Sequence, residues 1–372
     1  MATGHPNAAL IGRQGGRRDL ATPALVLDIR AFEHNLATMA ARTRAAGLAL
    51  RPHAKTHKCR AIAARQLAAG AVGICTAKLG EAEALAATPG LESLLITSPV
   101  LGALAPPRLA ALAGRLPELL VAVDSEAGLA LLAEAAALAG TAIGAVVDID
   151  PGIHRTGVAD AGAAVALARR AAATPGIAFA GLQCYAGHAQ HIEDHGLRRD
   201  IAAMALAPMA EAAAELRALG LPPRLMTGGG TGTSDLEAGL GVLNELQAGS
   251  YVFMDVEYDA IALTAEGAGP FRPALFVDAR VISANAADFV TVDAGFKAFA
   301  TDGPKPKAPG GADYAFMGDE HGAVFAPLAL GETVALQVPH CDPTVNLHDV
   351  IHVVDGDTLV DIWPVEGRGR GY

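Results

Sequence analysis

Along most of the chain, short runs of aliphatic and β-branched residues alternate with longer stretches where Ala and Leu recur at helical spacing between Arg and Glu. The strand-like runs fall near 48–55 (LALRPHAK), 71–77 (AVGICTA), 93–99 (SLLITSP), 119–125 (LLVAVDS), 143–150 (IGAVVDID), 177–185 (IAFAGLQCY), 225–229 (LMTGG) and 245–252 (ELQAGSYV). One amphipathic helix separates most neighbours, as over 126–139 and 159–174. Eight strands in βα alternation is the count of a closed barrel. An open doubly wound sheet is the alternative, but polar residues collect at the ends of nearly every strand rather than at one switch point. The pattern therefore predicts an α/β fold with a (β/α)8 TIM-like barrel.

From about residue 263 helical spacing becomes rare. Strand-like runs take over (PALFVDARVISA, DFVTVDAG, TVALQVPH, DVIHVVDGDTLVDIWPV), separated by Gly/Pro turns such as TDGPKPKAPGGAD. A second, mainly β domain is expected there. The early run ALVLD at 24–28 is left over after counting eight and is available to that domain. The expected division is a barrel over 29–262 and a β domain made of 1–28 plus 263–372.

Composition narrows the partners. The 372 residues are 52% apolar and 18% charged, which suits a large packed core. The net charge of −11 argues against nucleic acid. No apolar run reaches the ~20 residues of a membrane span, and no apolar signal segment opens the sequence. Cys59, Cys75, Cys184 and Cys341 are scattered without CxxC spacing and read as reduced thiols of a cytoplasmic protein.

Chemistry concentrates in a few segments. The chain has only six lysines, and Lys55, in RPHAKTHK, ends the first barrel strand. Barrel enzymes keep their chemistry at that end. An amine there suits a Schiff base with a carbonyl cofactor such as pyridoxal phosphate. Arg51, His53 and Lys55 alternate and are expected on one inward strand face. The bland reading is a surface lysine.

TGGGTGT at 227–233 follows a strand, and its glycines let backbone N–H groups converge on an anion. Thr227, Gly228 and Gly229, with Gly249, Ser250 and Tyr251 after the eighth strand, are the candidate phosphate segments; the alternative is a flexible loop. DIDPGIHRTGV sets Arg155 past the fifth strand, where it binds a phenolate or carboxylate or else pairs with Asp148 or Asp150. Tyr185 suits packing on a flat ring; His188 and His191 are site residues or capping groups. PHCDPTVNLHD carries His340, Asp342, His348 and Asp349. In an extended segment His340 and Asp342 share one face, suited to Mn²⁺, Mg²⁺, Co²⁺ or Zn²⁺, or they are simply polar loop residues.

RPHAKTHK together with DAGFKAF, DEHG and PHCDPTVNL resembles a known family. It comprises the metal-activated, pyridoxal-phosphate-dependent D-threonine and D-3-hydroxyaspartate aldolases and the eukaryotic-type D-serine dehydratases, on the alanine-racemase fold (fold type III). The resemblance runs from TPALVLD at 22–28 to the His-x-Asp segment. It implies that Lys55 is the Schiff-base lysine and that His340 and Asp342 bind a divalent metal. It further implies that Arg155 meets the cofactor's phenolic oxygen and that Tyr185 packs on its ring. Gln247 would stand where racemases carry an arginine facing the pyridine nitrogen. The expected activity is cleavage of a D-3-hydroxy amino acid to glycine and an aldehyde by a homodimer. The dehydratases resemble His-x-Cys at the metal segment and the aldolases His-x-Asp, so Asp342 favours the aldolase. Dehydration to a 2-oxo acid and ammonia stays open. So do a non-catalytic pyridoxal-phosphate carrier, disfavoured by the 263–372 region, and a sugar-phosphate barrel enzyme.

Overall fold

The computed structural model describes residues 4–267 and 269–372. Strand β1 (Ala24–Asp28) is followed by eight short strands: β2 (Ala49–Leu50), β3 (Ile74–Thr76), β4 (Ser93–Ile96), β5 (Glu118–Val123), β6 (Ile143–Asp148), β7 (Ile177–Cys184), β8 (Leu225–Gly228) and β9 (Glu245–Leu246). These eight form one parallel sheet in the order β2-β9-β8-β7-β6-β5-β4-β3. A parallel bridge between His53 and Cys75, with Cys75 N–H donating to the Pro52 carbonyl at 2.8 Å, closes the sheet on itself. The result is the barrel expected from the βα alternation.

Helices α1 (Ile29–Ala45), α2 (Arg60–Ala68), α3 (Leu79–Leu85), α4 (Ala105–Ala113), α5 (Glu126–Ala139), α6 (Ala161–Ala173), α7 (His195–Ala218), α8 (Glu237–Leu240) and α9 (Val256–Asp259) follow the strands. Asp28, Ser125, Asp160 and Asp194 accept from the first-turn N–H groups of α1, α5, α6 and α7 and so set where each begins. The strands read as unbroken apolar runs because both faces are buried. Leu94, Ile96, Leu119 and Val121 pack outward on the helices, while Leu95, Leu120, Val146, Ala180 and Leu225 alternate with them and fill the barrel interior.

Two expectations need correction. The eighth strand is not a run to residue 252. It ends at Leu246, and 250–252 forms a 3-10 turn, because Gly249 lies so close to the Lys55 turn that a methyl group there would meet the Thr56 hydroxyl and the His53 carbonyl. Nor do Arg51, His53 and Lys55 share one strand face. The strand proper is two residues long, and Lys55 sits on a 3-10 turn over Ala54–Thr56. Arg51 belongs to the opposite end of the barrel, where its buried guanidinium pairs with Glu245 at 2.9 Å and donates to Ser93 at 2.7 Å, both of them first residues of their strands.

The second sheet contains β10 (Leu275–Ser283), β11 (Val290–Val292), β12 (Tyr314–Phe316), β13 (Gly322–Val324), β14 (Thr333–Gln337), β15 (Val350–Asp355) and β16 (Thr358–Pro364). Strand β1 is its eighth member, antiparallel to β10 and parallel to β15. Between β14 and β15 lies α10 (Cys341–Val345). The β domain shares one apolar core with α1 and with the 246–263 end of the barrel. That shared core carries α10 to the barrel mouth. No helix of the described residues is long and apolar enough to cross a membrane.

Candidate active site

A cavity of about 260 Å3 opens at the C-terminal end of the barrel. At roughly 30 Å3 per water it has room for a small organic molecule. Lys55 stands in its wall, 3.0 Å from Asp342 Oδ2. The pair spans the two domains. Asp342 raises the Lys55 pKa well above the lysine range against the opposing effect of burial. Burial pushes the Asp342 carboxyl up, but Lys55 and His340 outweigh it and hold the pKa to about 2. The other carboxylate oxygen, Asp342 Oδ1, is buried and makes no hydrogen bond of normal geometry among the described residues, nor does Thr56 Oγ1, although the Thr56 hydroxyl is near enough to help lower the Asp342 pKa.

His340 and Asp342 do not lie on an extended segment, as expected from the sequence. His340 is extended, but it is the residue before α10, and Asp342 is in that helix's first turn. The segment is held from two sides. Cys341 N–H donates to the buried carboxylate of Asp255 at 2.9 Å, and the Thr344 hydroxyl donates to the His340 carbonyl at 2.7 Å. His340 Nδ1 donates to Asp302 Oδ2 at 2.9 Å; against burial, Asp342 and Asp302 raise the ring's pKa, so Nε2 becomes a donor to a cation on giving up its proton. No group of three or more His, Cys, Asp or Glu side chains suited to a metal occurs among the described residues. Cys341 is fully buried in the core, away from the cavity. His348 and Asp349 lie outside the site. His348 meets the Ala298 carbonyl at 3.0 Å, and Asp349 forms an exposed pair with Arg368.

The cavity floor is a hydrogen-bonded net. Gln247 Nε2 donates to Gln183 Oε1 (3.2 Å) and Thr227 Oγ1 (3.0 Å), so its own Oε1 is left for the cavity. Gln183 Nε2 donates to the Thr97 carbonyl (2.8 Å) and to Asp148 Oδ1 (2.9 Å), and Thr156 donates to Asp148 Oδ2 (2.8 Å). Burial raises the Asp148 pKa to about 6 against those donors. His53 is a neutral ring of known tautomer. Thr97 gives its own proton to the Thr76 carbonyl and so accepts from His53 Nε2, while His53 Nδ1 accepts from Lys55 N–H at 3.4 Å. Burial, then the Lys55 charge, depress its pKa to about 3.

The glycine loop lies between β8 and α8. Gly229, Thr231, Gly249 and Ser250 all line the cavity, and among the described residues their N–H groups donate to no protein atom. These free donors make an anion cradle. Gly230 and Gly232 spend their N–H groups on Thr233 Oγ1 and Gln190 Oε1, which fixes the loop. Three expected cofactor contacts do not line the cavity. Thr227 and Gly228 sit beneath it, where a methyl group on Gly228 would collide with the Cys184 carbonyl. Tyr251 is buried, with its N–H on Thr231 Oγ1 at 3.0 Å.

Arg155 and Tyr185 line the cavity together, with the guanidinium carbon 5.6 Å from the ring centroid. Arg155 does not pair with Asp148 or Asp150. Asp150 is occupied by the N–H groups of Gly152, Ile153 and His154 and by the His154 ring. His191 packs at a tilt against Tyr258, with ring centroids 4.6 Å apart, and its Nε2 lies 3.7 Å from Glu257. His188 is exposed. Sequence reasoning passed over Thr97, Gln183, Tyr258, Asp255 and Asp302, and offered Asp148 only as a pairing partner for Arg155. Polar residues at barrel strand ends were a usable signal for Thr97 and Gln183; no local signal marks Asp255 and Asp302.

A closed barrel with this cavity, joined to a β domain that supplies part of its mouth, is the architecture of the alanine racemases. Residues 27–257 match the alanine racemase N-terminal domain family, and 274–354 match the putative serine dehydratase domain family. A D-threonine aldolase from Arthrobacter sp is 42% identical over 359 residues, 94% of this chain and 93% of that protein. A 3-hydroxy-D-aspartate aldolase from Paracoccus denitrificans (strain Pd 1222) is 38% identical over 364 residues, 95% of this chain and 94% of that one. The crystal structure of D-threonine aldolase from Filomicrobium marinum superposes with a TM-score of 0.92 at 40% identity, covering 95% of this chain and 98% of the other. The chain belongs to the family of D-threonine and 3-hydroxy-D-aspartate aldolases, built on the alanine-racemase fold.

Proposed function

We propose that this chain is a carbon–carbon lyase, dependent on pyridoxal phosphate and a divalent metal, that cleaves D-3-hydroxy amino acids to glycine and an aldehyde. The observation that carries the reading is the 3.0 Å pair of Lys55 and Asp342 across the barrel mouth. It sets an amine able to hold a carbonyl cofactor beside a carboxylate with an unpartnered buried oxygen.

The residues fit both groups. The free N–H donors of Gly229, Thr231, Gly249 and Ser250 suit a phosphate, Tyr185 a ring face, Arg155 a phenolate and Gln247 Oε1 a ring N–H. Asp342 Oδ1 and His340 Nε2 suit a cation, and two protein ligands leave positions for water and a substrate hydroxyl, as in catalytic rather than closed structural sites. Mixed nitrogen and oxygen donors leave Mn²⁺, Mg²⁺, Co²⁺ and Zn²⁺ in play. When bound, the cofactor supplies a ring that takes up the electron pair released at Cα, and the metal supplies Lewis acidity toward the β-hydroxyl.

The chain's own groups do the rest. Lys55 is protonated while Asp342 holds it, so its amine becomes a nucleophile only once that pair opens. His53 orients the Lys55 turn through its Nδ1 and stays neutral. His191, which burial holds below the ordinary histidine pKa, is available to take the hydroxyl proton. The match to the serine dehydratase domain keeps dehydration as a second reading, with Lys55 taking the Cα proton. Against it stands Cys341, fully buried in the core, so that aspartate and not cysteine faces the site. The reading includes a homodimer in the cytoplasm, consistent with four buried, unpaired cysteines.

Wild type and Lys55→Ala, each reconstituted with pyridoxal phosphate and desalted, test the assignment. Wild type is expected to retain visible absorbance and the variant to lose it. An unchanged spectrum in the variant removes Lys55 from its role.

A further inference from the structure

Beyond the Lys55–Asp342 pair, the rim of the site carries carboxylates without matching cations. Glu257 lies 3.7 Å from His191, and its side chain is 22% exposed. Burial pushes the His191 pKa below its ordinary value, so that ring is neutral at pH 7 and leaves the Glu257 charge uncompensated. Asp302, 52% exposed, accepts from His340. The two carboxylates stand on adjoining segments, since a methyl group on Gly303 would collide with Glu257 Oε1. No lysine or arginine pairs with either among the described residues. Arg155, which pairs with no carboxylate among the described residues, lies over Tyr185.

We propose that this rim selects substrates whose β-substituent is uncharged, as in a threonine-type 3-hydroxy D-amino acid, and disfavours a second carboxylate, as in 3-hydroxyaspartate. The proposal rests on the lyase reading above. The β-substituent shares its carbon with the hydroxyl that faces His340 and Asp342, so it meets the groups around that pair. With Lys55 engaged by the cofactor, a divalent ion and the Asp342 carboxylate carry a net charge of about +1, and Glu257 with Asp302 adds −2, which leaves the rim negative. A substrate carboxylate within a Debye length of one uncompensated charge, in a partly exposed site, is disfavoured by about tenfold, and by less as salt screens it.

The test is a spectroscopic titration of the holoenzyme, loaded with pyridoxal phosphate and Mn²⁺, using two ligands that lack the hydroxyl: D-2-aminobutyrate and D-aspartate. Wild type is expected to bind D-2-aminobutyrate at least about tenfold more tightly. In Glu257→Gln that ratio should fall several-fold, and in wild type it should fall as salt rises, a readout that stands even where the variant does not fold. Equal or tighter binding of D-aspartate by wild type overturns the proposal, as does a ratio indifferent to both substitution and salt. If neither ligand alters the visible spectrum, the lyase reading itself fails and takes the selectivity with it.

Discussion

Asp302 shows how much a single side chain outside the obvious motif contributes. Its carboxylate receives the Nδ1 proton of His340 and so fixes the tautomer and the direction of Nε2. Outer carboxylates of this kind typically change metal affinity by about 10–100-fold when removed. Asp302→Asn is therefore expected to weaken Mn²⁺ binding by about that factor in equilibrium dialysis, while the bound pyridoxal phosphate absorbance persists. Unchanged Mn²⁺ affinity would remove Asp302 from the site. Residues such as Lys55, His340 and Asp342 were legible in the sequence because each sits in a compact polar motif within an apolar pattern. Asp302 and Asp255 were not. They are separated from the residues they hold by 38 and 86 positions, and nothing local marks either.

At the scale of elements, one seam of the barrel rests on two very short strands. β2 and β9 pair through only two register positions, Ala49–Glu245 and Leu50–Leu246. The buried pair of Arg51 and Glu245 reinforces that junction from inside. Removing one partner of a buried pair leaves an unpaired charge and costs about 3–5 kcal/mol. Glu245→Ala is expected to lower unfolding stability by that order in denaturant titration; a change below about 1 kcal/mol would mean the junction does not depend on the pair. The alternation of apolar runs revealed both strands but not their length. The sequence after Leu246 is as strand-like as the sequence before it. What stops the strand is the close approach of Gly249 to the Lys55 turn, a tertiary fact. The same holds for the His-x-Asp segment. Its short helix is set by Thr344 and by Asp255, which belongs to another segment.

Over the whole molecule, buried titratable groups act in opposite directions. His53, His57 and His352 have folded pKa values depressed to about 3, 4 and 4, chiefly by burial. Each contributes stability that is full above the ordinary histidine value and is lost as pH falls through the window down to the folded value. Asp148 and Asp255, raised to about 6, and Glu237, raised to about 7, work the other way: acidification below those values favours the folded state until the ordinary carboxylate pKa is reached. Three histidines are thus set against three carboxyls, with His191 and His348 also lowered by burial and His340 raised by its neighbouring carboxylates, so that the two sets oppose each other over the same pH range. Asp342, held to about 2, then withdraws its contribution between the ordinary carboxylate value and pH 2. Thermal unfolding of the cofactor-free protein is expected to change little from about pH 7 to 4 and to fall steeply below. A continuous decline from about pH 6.5 would show that the carboxyls do not offset the histidines.

The central claim, that this barrel cleaves a carbon–carbon bond, is tested most directly by its products. The protein, loaded with pyridoxal phosphate and Mn²⁺, is incubated with D-threonine, and the mixture is assayed for glycine and acetaldehyde and for ammonia and 2-oxobutanoate. Glycine with an equal amount of acetaldehyde, lost on metal chelation, is the expected result. Ammonia and 2-oxobutanoate in their place would contradict it and make the chain a dehydratase in spite of Asp342.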